Sequence, residues 1–414
     1  MTLIGAGAPP LHVETTPLDS PAALPSLADP RRPLLWQRNG AGLVGLGEAL
    51  RLEFSGPDRL REAADAWKVL SASAEVDDPI GLPGTGLVAF GAFAFSGRSS
   101  TTSVLIVPRT VVGSRGGRSW VTTISSEGAT GSEPTAARPF GDEYRVPLLP
   151  GAMTPDGYRS AVASAVGSIR AGALEKVVLA RDLRGRLPRG ADLRRILVDF
   201  ASTYPDCWTF AVDGFVGASP ETLVGVDHGA ITARVLAGTS ARGTDAAADA
   251  AIAQALLEST KDRSEHAFAI ASLLRELRPH TSSLSTSGEP FTLKLPNLWH
   301  LATDVRGTLG DASTALDLVD ALHPTAAVAG TPTGTALELI DALEPFDRGR
   351  YAGPVGWIDG RGDGEWAVGL RSAQIAPDGA VTAWAGAGIV ADSDPDAELA
   401  ETRIKFRPVQ DALS

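Results

Sequence analysis

The first third of the chain alternates short apolar runs with turn residues, a pattern typical of antiparallel strands. Leu34–Arg38 and Leu43–Leu46 flank Asn39-Gly40, a dipeptide that favours the tight turn of a hairpin. Apolar residues then recur at helical spacing between Pro57 and Leu70, which predicts one helix. Further strands are predicted at Leu11–Thr15, Leu50–Phe54, Leu87–Ser96, Ser103–Val107 and Trp120–Ser125. Residues 126–144 are rich in Gly, Ser, Pro and charge, which predicts a mobile loop or an internal boundary.

The remainder of the chain mixes helices with strands. A helix is predicted to begin after Thr154, its cap, and to end at Gly172. Helical spacing returns over Asp245–Leu277, with a break near Ser259, and Gly217–Glu221 is predicted to form a turn. The other predicted elements are strands at Glu175–Arg184, Trp208–Val212, Thr222–Val226, Ala230–Leu236, Phe291–Leu295, Leu298–Arg306, Val355–Ile358, Glu365–Ala373 and Val381–Trp384, and helices at Ala312–Leu322 and Gly334–Leu343. Because helices are grouped rather than strictly alternating with strands, the pattern indicates an α+β fold.

The last predicted helix carries an acidic face. Ser393 is predicted to cap it, and Pro395 suits its first turn. Glu398, Glu401 and Lys405 follow at i, i+3 and i+7, so they share one face. Two like charges on neighbouring turns need a positive partner, which could be Lys405 itself or a divalent cation. From these residues alone, a surface ion pair is the favoured interpretation.

Other charged positions have similarly open interpretations. Lys176 stands at the start of a predicted strand, where a lysine is usually solvated. Asp262 and Glu265 are three residues apart on a predicted helix and therefore share a face. Glu221 follows the predicted turn, which could direct its side chain inward or leave it in solvent.

Composition narrows the possible functions. The net charge of −12 argues against a nucleic-acid or anionic-membrane surface, but allows an acidic small-molecule substrate if cations offset the local field. The single cysteine, Cys207, excludes an internal disulfide and a multi-cysteine zinc site. The N-terminal residues have no basic segment followed by a long apolar run, and no apolar run is long enough to span a bilayer. We therefore expect a cytoplasmic protein with no membrane partner. The sequence does not indicate an oligomeric state, and a monomer is the default expectation.

Nine segments together resemble the chorismate-utilising enzymes, and their number and order make chance agreement implausible. They are KVVLAR from Lys176, ASPE from Ala218, LAGTSARG from Leu236, KDRSEH from Lys261, WHLATDVRG from Trp299, LHPT from Leu322, EPFDRGRYAGPVGW from Glu344, GEWAVGLRSA from Gly364 and AGAGIVADSDPDAELAETRIKF from Ala385. The resemblance implies two stacked, largely antiparallel sheets flanked by helices. It also implies one large domain over residues 1–414, with a variable first half (1–145) and an active-site-bearing second half (150–410).

Within the family, the chain is most similar to isochorismate synthases, which convert chorismate to isochorismate. The resemblance implies that Lys176 is the base that activates water at C2, and that Glu221 is the acid for the departing C4 hydroxyl. It further implies Mg²⁺ as cofactor, held by Glu265 and Glu401 with Asp262 and Glu398 nearby. The substrate-binding residues that it implies are Gly238, Thr239, His300, Ala327, Tyr351, Arg371, Gly386, Gly388 and Lys405.

The same family contains other activities, which the sequence distinguishes at three positions. The aminating members, anthranilate synthase and aminodeoxychorismate synthase, tend to lack a lysine at position 176, and the latter often has a lysine where this chain has Ala237. Salicylate synthase, a lyase, and anthranilate synthase carry threonine where this chain has Ala327. These differences favour the isochorismate synthase and predict no glutamine amidotransferase partner. An acidic metal-binding module without enzymatic activity is the remaining alternative. Both menaquinone and siderophore synthesis stay open as pathways.

Overall fold

The computed structural model describes residues 10–19, 23–126, 137, 139–296 and 298–414, without the side chains of Ala237, Lys261 and Glu265. Its helices are α1 (Leu24–Leu27), α2 (Arg59–Ser73), α3 (Pro155–Arg170), α4 (Arg194–Thr203), α5 (Ala246–Glu258), α6 (Thr260–Leu277), α7 (Ala315–Leu322), α8 (Thr333–Leu343) and α9 (Pro395–Ala412). Its strands are β1 (His12–Pro17), β2 (Leu34–Arg38), β3 (Ala41–Leu46), β4 (Leu50–Phe54), β5 (Glu75–Asp77), β6 (Val88–Ala92), β7 (Ser103–Val107), β8 (Thr110–Arg115), β9 (Arg118–Ser125), β10 (Leu149–Pro150), β11 (Lys176–Arg186), β12 (Trp208–Val212), β13 (Phe215–Ser219), β14 (Thr222–Asp227), β15 (Ala230–Ala241), β16 (Thr281–Thr286), β17 (Phe291–Lys294), β18 (Leu298–Leu309), β19 (Gly330–Thr331), β20 (Pro354–Asp359), β21 (Gly364–Val368), β22 (Ser372–Ile375) and β23 (Ala380–Ile389).

In the described ranges, these strands form two sheets. The larger has 13 strands in the order β10-β11-β23-β22-β13-β12-β2-β3-β8-β9-β1-β5, with β19 on β11. The smaller has 10, in the order β16-β18-β15-β14-β21-β20-β6-β7-β4, with β17 on β18. Adjacent strands are antiparallel except β1 and β5, which pair in parallel. The predicted α+β class with two largely antiparallel sheets is therefore confirmed.

Alternating side chains of the larger sheet enter two different cores. Trp36 packs between the two sheets with residues such as Phe90 and Trp366 of the smaller sheet. Its neighbour Leu35 faces the opposite side, where it joins Phe200 of α4 in a second core. Successive strand residues point to opposite faces of the sheet. A sheet that is buried on both faces therefore needs apolar residues at odd and even positions along its strands.

Local sequence signals explain several helix boundaries. The Thr154 side chain accepts a hydrogen bond from the Gly157 amide at the start of α3, as predicted. Ser259 separates α5 from α6 and caps α6 by accepting from the Asp262 amide, which confirms the predicted break. Asp262 is thereby fixed in the first turn of its helix.

Some predicted boundaries are wrong. Glu365–Ala373 was expected as one strand, but the chain forms β21 and β22, which are separated by residues 369–371. Arg371 has a φ of 50°, a left-handed conformation that ends a regular strand. The pattern of hydrophobic and polar residues also gave no indication of α4 or β8. Of the loop predicted at 126–144, residues 127–136 and 138 lie outside the described residues.

No helix in the described part of the chain is both long enough and apolar enough to cross a membrane.

Candidate active site

A cavity of about 220 Å³ lies where β11 and β23 of the larger sheet approach β15, β18, α6 and α9. It brings together nearly all residues that the sequence analysis selected. They are Lys176, Glu221, Gly238, Thr239, Asp262, His300, Ala327, Tyr351, Arg371, Gly386, Gly388, Glu398, Glu401 and Lys405. Glu265 lies on α6, and its side chain is outside the described residues.

Lys176 is the first residue of β11 and lines the cavity. It pairs with Thr331 of β19, while the next residue, Val177, begins a long pairing with β23. Val177 and Leu179 are fully buried, so the strand is held firmly behind the lysine. The lysine is therefore placed in the cavity rather than on a solvated edge.

Glu221 reaches the cavity from the end of a strand. The predicted turn at Gly217–Glu221 is wrong, because Phe215–Ser219 forms β13 and only Pro220 and Glu221 leave it. Glu221 is buried, and burial raises the pKa of its carboxyl to about 7, while Lys176 and Arg371 act in the opposite direction. The carboxyl can therefore hold or release a proton near neutral pH.

Gly238, Thr239 and His300 form one wall. The pairing of β15 with β18 shifts register between Ala237 and Thr239, and Gly238 has a φ of 81° within that bulge. A Cβ at Gly238 would lie 3.2 Å from the Cβ of Asp262, so glycine allows α6 to approach the strand closely.

The imidazole of His300 is held in one orientation by this wall. Its Nδ1 lies 3.0 Å from Thr239 Oγ1 and 3.4 Å from the Gly238 carbonyl oxygen. Burial lowers the pKa of His300 well below its usual value, so the ring is neutral. A carbonyl can only accept, so Nδ1 carries the proton, and Nε2 is left as an acceptor. Nε2 is buried and has no hydrogen-bond partner among the described residues.

Arg371 places a buried cation in the cavity. Its side chain is buried, and burial lowers the pKa of the guanidinium. No carboxylate of the described residues lies within 4.0 Å of it, although other buried arginines such as Arg348 are paired. A buried charge without a partner is costly, so this position suits an anionic ligand.

Tyr351 lies beside Arg371. Its ring stacks on Trp384 with centroids 6.0 Å apart and an interplanar angle of 17°. Burial raises the pKa of the Tyr351 phenol to about 12, so it stays protonated and can donate a hydrogen bond. Ala352, the next residue, has a φ of 62°. The backbone therefore departs from regular strand geometry both beside Tyr351 and at Arg371.

The acidic groups come from the first turn of α6 and the first two turns of α9. Asp262 bonds with the Ser259 hydroxyl, and Glu398 Oε1 accepts from Ser393 Oγ at 2.7 Å. Glu401 lies 2.6 Å from Lys405 Nζ. Carboxylate oxygens are the donors that Mg²⁺ prefers, so the donor set fits this ion. Within the described side chains, however, no group of three or more His, Cys, Asp or Glu is close enough to hold a metal.

The predicted cap of α9 needs a correction. Asp394, not Ser393, caps the helix by accepting from the amides of Asp396 and Ala397. The difference has a physical reason, because the Ser393 hydroxyl is engaged by Glu398 and by the Val390 amide.

Sequence reasoning missed Arg348, which also lines the cavity. Its guanidinium is buried 2.6 Å from Glu344, and it donates to the carbonyl oxygens of Val178 and Val328 at 2.6 and 3.0 Å. Glu344 also accepts from the Ala180 amide at 2.7 Å. The pair thus joins β11 to the segment that carries Ala327. Residues 344–348 are not helical, so the i, i+4 spacing of the pair was not a helical signal in the sequence.

Comparison with known proteins gives consistent matches. The family model described as chorismate binding enzyme matches residues 11–414. The salicylate biosynthesis isochorismate synthase of Pseudomonas aeruginosa is 33% identical, with 97% of this chain and 89% of the relative covered. Among solved structures, the menaquinone-specific isochorismate synthase MenF of Escherichia coli has a TM-score of 0.80 at 26% identity, covering 98% of this chain and 95% of that one. A 2,3-dihydroxybenzoate-specific isochorismate synthase, DhbC, of Bacillus anthracis has a TM-score of 0.78 at 29% identity, covering 94% and 98%.

Proposed function

The chain belongs to the family of chorismate-binding enzymes, and on that basis we propose that it is an isochorismate synthase, which converts chorismate to isochorismate. The observation that carries the proposal is that Lys176 and Glu221 line one cavity with the buried Arg371, which has no carboxylate of the described residues within 4.0 Å. This arrangement offers a base, an acid and an anion-binding group to one small acidic substrate. The relatives named above are isochorismate synthases, which supports the same activity here.

Substrate binding begins with the carboxylates. Arg371 forms an ion pair with the enolpyruvyl carboxylate, a partner that the described residues do not supply. A planar guanidinium suits a planar carboxylate. The Tyr351 hydroxyl donates a hydrogen bond to the same carboxylate. Gly386 and Gly388 have no side chains, so the backbone of β23 is uncovered beside the enolpyruvyl carboxylate. The backbone amides of β23 can therefore approach this anion.

The ring hydroxyl has its own acceptor. Because Nδ1 of His300 is committed to the Gly238–Thr239 wall, Nε2 accepts a hydrogen bond from a ring hydroxyl of the substrate. A neutral imidazole performs this role without adding a charge to the cavity. His300 therefore orients the ring between Lys176 and Glu221.

The chemistry exchanges one hydroxyl for another. Lys176, in its neutral form, takes a proton from water as the water oxygen bonds to C2. The double bonds shift and the C4–oxygen bond breaks. Glu221 gives its proton to the departing oxygen, which leaves as water. The raised pKa of Glu221 suits this step, because about half of the carboxyl groups are protonated near pH 7.

A magnesium ion fits the acidic face. Asp262, Glu398 and Glu401 line the cavity and, with Glu265, would hold the ion together with a substrate carboxylate and water. When bound, the ion would neutralise the carboxylate of the substrate ring and fix its position. The two interpretations left open for the acidic helix are not exclusive, because Lys405 pairs with one of the four carboxylates.

Product analysis tests the proposal. The protein is incubated with chorismate and Mg²⁺, and the products are separated by liquid chromatography and identified by NMR. Isochorismate is expected, with no requirement for glutamine or an amidotransferase subunit. Anthranilate or aminodeoxychorismate formed with ammonia would support an aminating enzyme instead. No turnover with or without Mg²⁺ would favour a metal-binding module. We also propose that the chain is one domain and functions as a monomer.

A further inference from the structure

A second cavity of about 210 Å³ adjoins the candidate active site. Glu221 and Ala327 line both cavities, so these two residues form the partition between them. The remaining walls of the second cavity come from β14, β15, α6, the end of α7, the segment that follows α7 and the start of α8. The mechanism proposed above does not use this space.

This inference rests on the proposed function. The proposed reaction requires that water leave, and a proton return, on the Glu221 side of the substrate ring. In each turnover the C4 oxygen takes the Glu221 proton and becomes water. Glu221 is then a carboxylate that must regain a proton before the next turnover. As long as the product occupies the active-site cavity, the water can leave and the proton can return only by a separate way to and from Glu221.

The second cavity has polar walls that can hold water. Thr325 lines it, and the Thr325 hydroxyl is buried without a hydrogen-bond partner among the described residues. A buried hydroxyl without a partner is costly, and ordered water commonly supplies the missing bond. Ser272 and Thr333 bring further hydroxyl-bearing side chains to the same space.

The charged groups around the second cavity are already paired with neighbours. Arg234 lies 2.6 Å from Asp304, and Arg275 lies 3.0 Å from Glu276. The side chain of Arg275 is 72% exposed, so this wall reaches bulk solvent. His323 is half-buried and shares a hydrogen bond of 2.8 Å with the Phe95 carbonyl oxygen, and the loss of solvent around its ring lowers its pKa to about 3. Apart from Glu221 itself, each Arg or Glu side chain that the structure describes in these walls is therefore already in an ion pair.

We propose that the second cavity is the passage through which water and protons move between Glu221 and bulk solvent. The passage allows the acid to be reset while the product still occupies the active-site cavity. It also separates the water that departs from C4 from the water that attacks C2 on the Lys176 side.

Closing the passage tests its role. Ala321 lies on α7 and lines only the second cavity, so Ala321→Leu narrows the space with a residue that favours helices. The matched control is Ala271→Leu, at an exposed position of α6 outside both cavities. For Ala321→Leu we expect kcat to fall about tenfold, a part of the roughly 10²-fold that acid–base catalysis contributes, with KM for chorismate unchanged. The solvent deuterium isotope effect on kcat should increase, because proton return to Glu221 becomes rate-limiting.

A second variant covers the case in which leucine prevents folding. Thr325→Val keeps the size of the side chain and removes the hydroxyl, and it should lower kcat and raise the isotope effect. Thr325→Ser should restore both. Folded Ala321→Leu and Thr325→Val proteins with wild-type kcat and isotope effect would overturn the passage alone. A wild-type protein that makes no isochorismate would overturn the proposed function and the passage together.

Discussion

Lys405 Nζ lies 2.6 Å from a carboxylate oxygen of Glu401 and donates to the carbonyl oxygen of Gly386 at 2.9 Å. One lysine therefore connects the acidic face of α9 to the β23 backbone that borders the substrate pocket. The contact fixes the carboxylate of Glu401 in the cavity, where the Glu401 side chain keeps 31% of its surface exposed. Glu401 can thus serve an ion and a lysine at once.

Replacing the carboxylates should abolish metal-dependent activity. Glu401→Gln removes an anionic ligand from the proposed Mg²⁺ site and the ion-pair partner of Lys405, so we expect no turnover at ordinary Mg²⁺ concentration. Glu265→Gln should behave in the same way, and Glu398→Gln should retain more activity if it binds the ion through water. Chelation of the wild-type protein should also stop the reaction. Glu338→Gln, at an exposed position of α8, is the control. Full activity of Glu401→Gln would contradict the metal assignment.

Removing the proposed base should reduce turnover more than binding. Lys176→Ala should lower kcat by at least about 10²-fold, the lower end for general acid–base catalysis, with a modest change in KM. The pH profile of kcat/KM should also lose the limb that reports deprotonation of the base. Lys68→Ala, which breaks a surface ion pair with Asp317, should leave both measurements unchanged. An unaltered pH profile in Lys176→Ala would mean that another group activates water.

Glu221 should make the stability of the protein depend on pH. In the folded protein burial raises its pKa to about 7, whereas the unfolded chain releases this proton near 4.5. Unfolding therefore releases a proton between these values, and the contribution of Glu221 to stability falls as pH rises through this window. Glu221→Gln does not titrate, so its unfolding free energy relative to wild type should rise by roughly 3 kcal/mol from pH 4.5 to above pH 7. Chemical denaturation at a series of pH values measures this difference. A difference that does not vary with pH would contradict the burial of an ionisable Glu221.

The buried pair of Arg348 and Glu344 should be important for stability. Removing one partner leaves a charge buried without compensation, so Arg348→Met should cost about 3–5 kcal/mol of unfolding free energy. Substituting both residues by apolar side chains should cost less than the sum of the single substitutions, because the pair is lost only once. Additive costs would show that the two side chains act independently.

Local sequence patterns predicted helices better than they predicted the assembled site. The break between α5 and α6 could be predicted because Ser259 is a cap and the signal lies within a few residues. The start of α4 could not, since its cap residue, Leu193, makes no side-chain hydrogen bond. The division between β21 and β22 depends on the left-handed backbone of Arg371, which no residue preference indicates for arginine.

The site itself was predicted by resemblance rather than by local pattern. Lys176 and Lys405 are far apart in sequence, and each alone was more consistent with a solvated surface lysine. They line one cavity because the strand β11 pairs with β23, and β23 leads into α9. Such long-range pairings depend on tertiary packing, which hydrophobic periodicity does not encode. Arg348 was missed because its role depends on two backbone carbonyl groups that only the fold brings near it.

The last prediction concerns which reaction of the family the cavity supports. In a lyase, bound isochorismate loses pyruvate when a hydrogen moves from C2 to the enolpyruvyl carbon within a compact conformation. A threonine at position 327 would add a methyl and a hydroxyl group against the ring and hold that conformation. Ala327 lines the cavity and has neither group, so isochorismate should leave intact.

We therefore expect the wild-type protein to form isochorismate in reversible balance with chorismate, with little or no salicylate. Ala327→Thr should raise salicylate formation, though modestly, because Val328 also lines the cavity. Ala312→Thr is a matched control, since Ala312 is exposed and lines neither the active-site cavity nor the second cavity. Pyruvate release is measured by coupling to lactate dehydrogenase, and salicylate by fluorescence. Substantial pyruvate release by the wild-type protein would replace the synthase assignment with that of a lyase, because the synthase reaction leaves the bond between the ring and the enolpyruvyl oxygen intact.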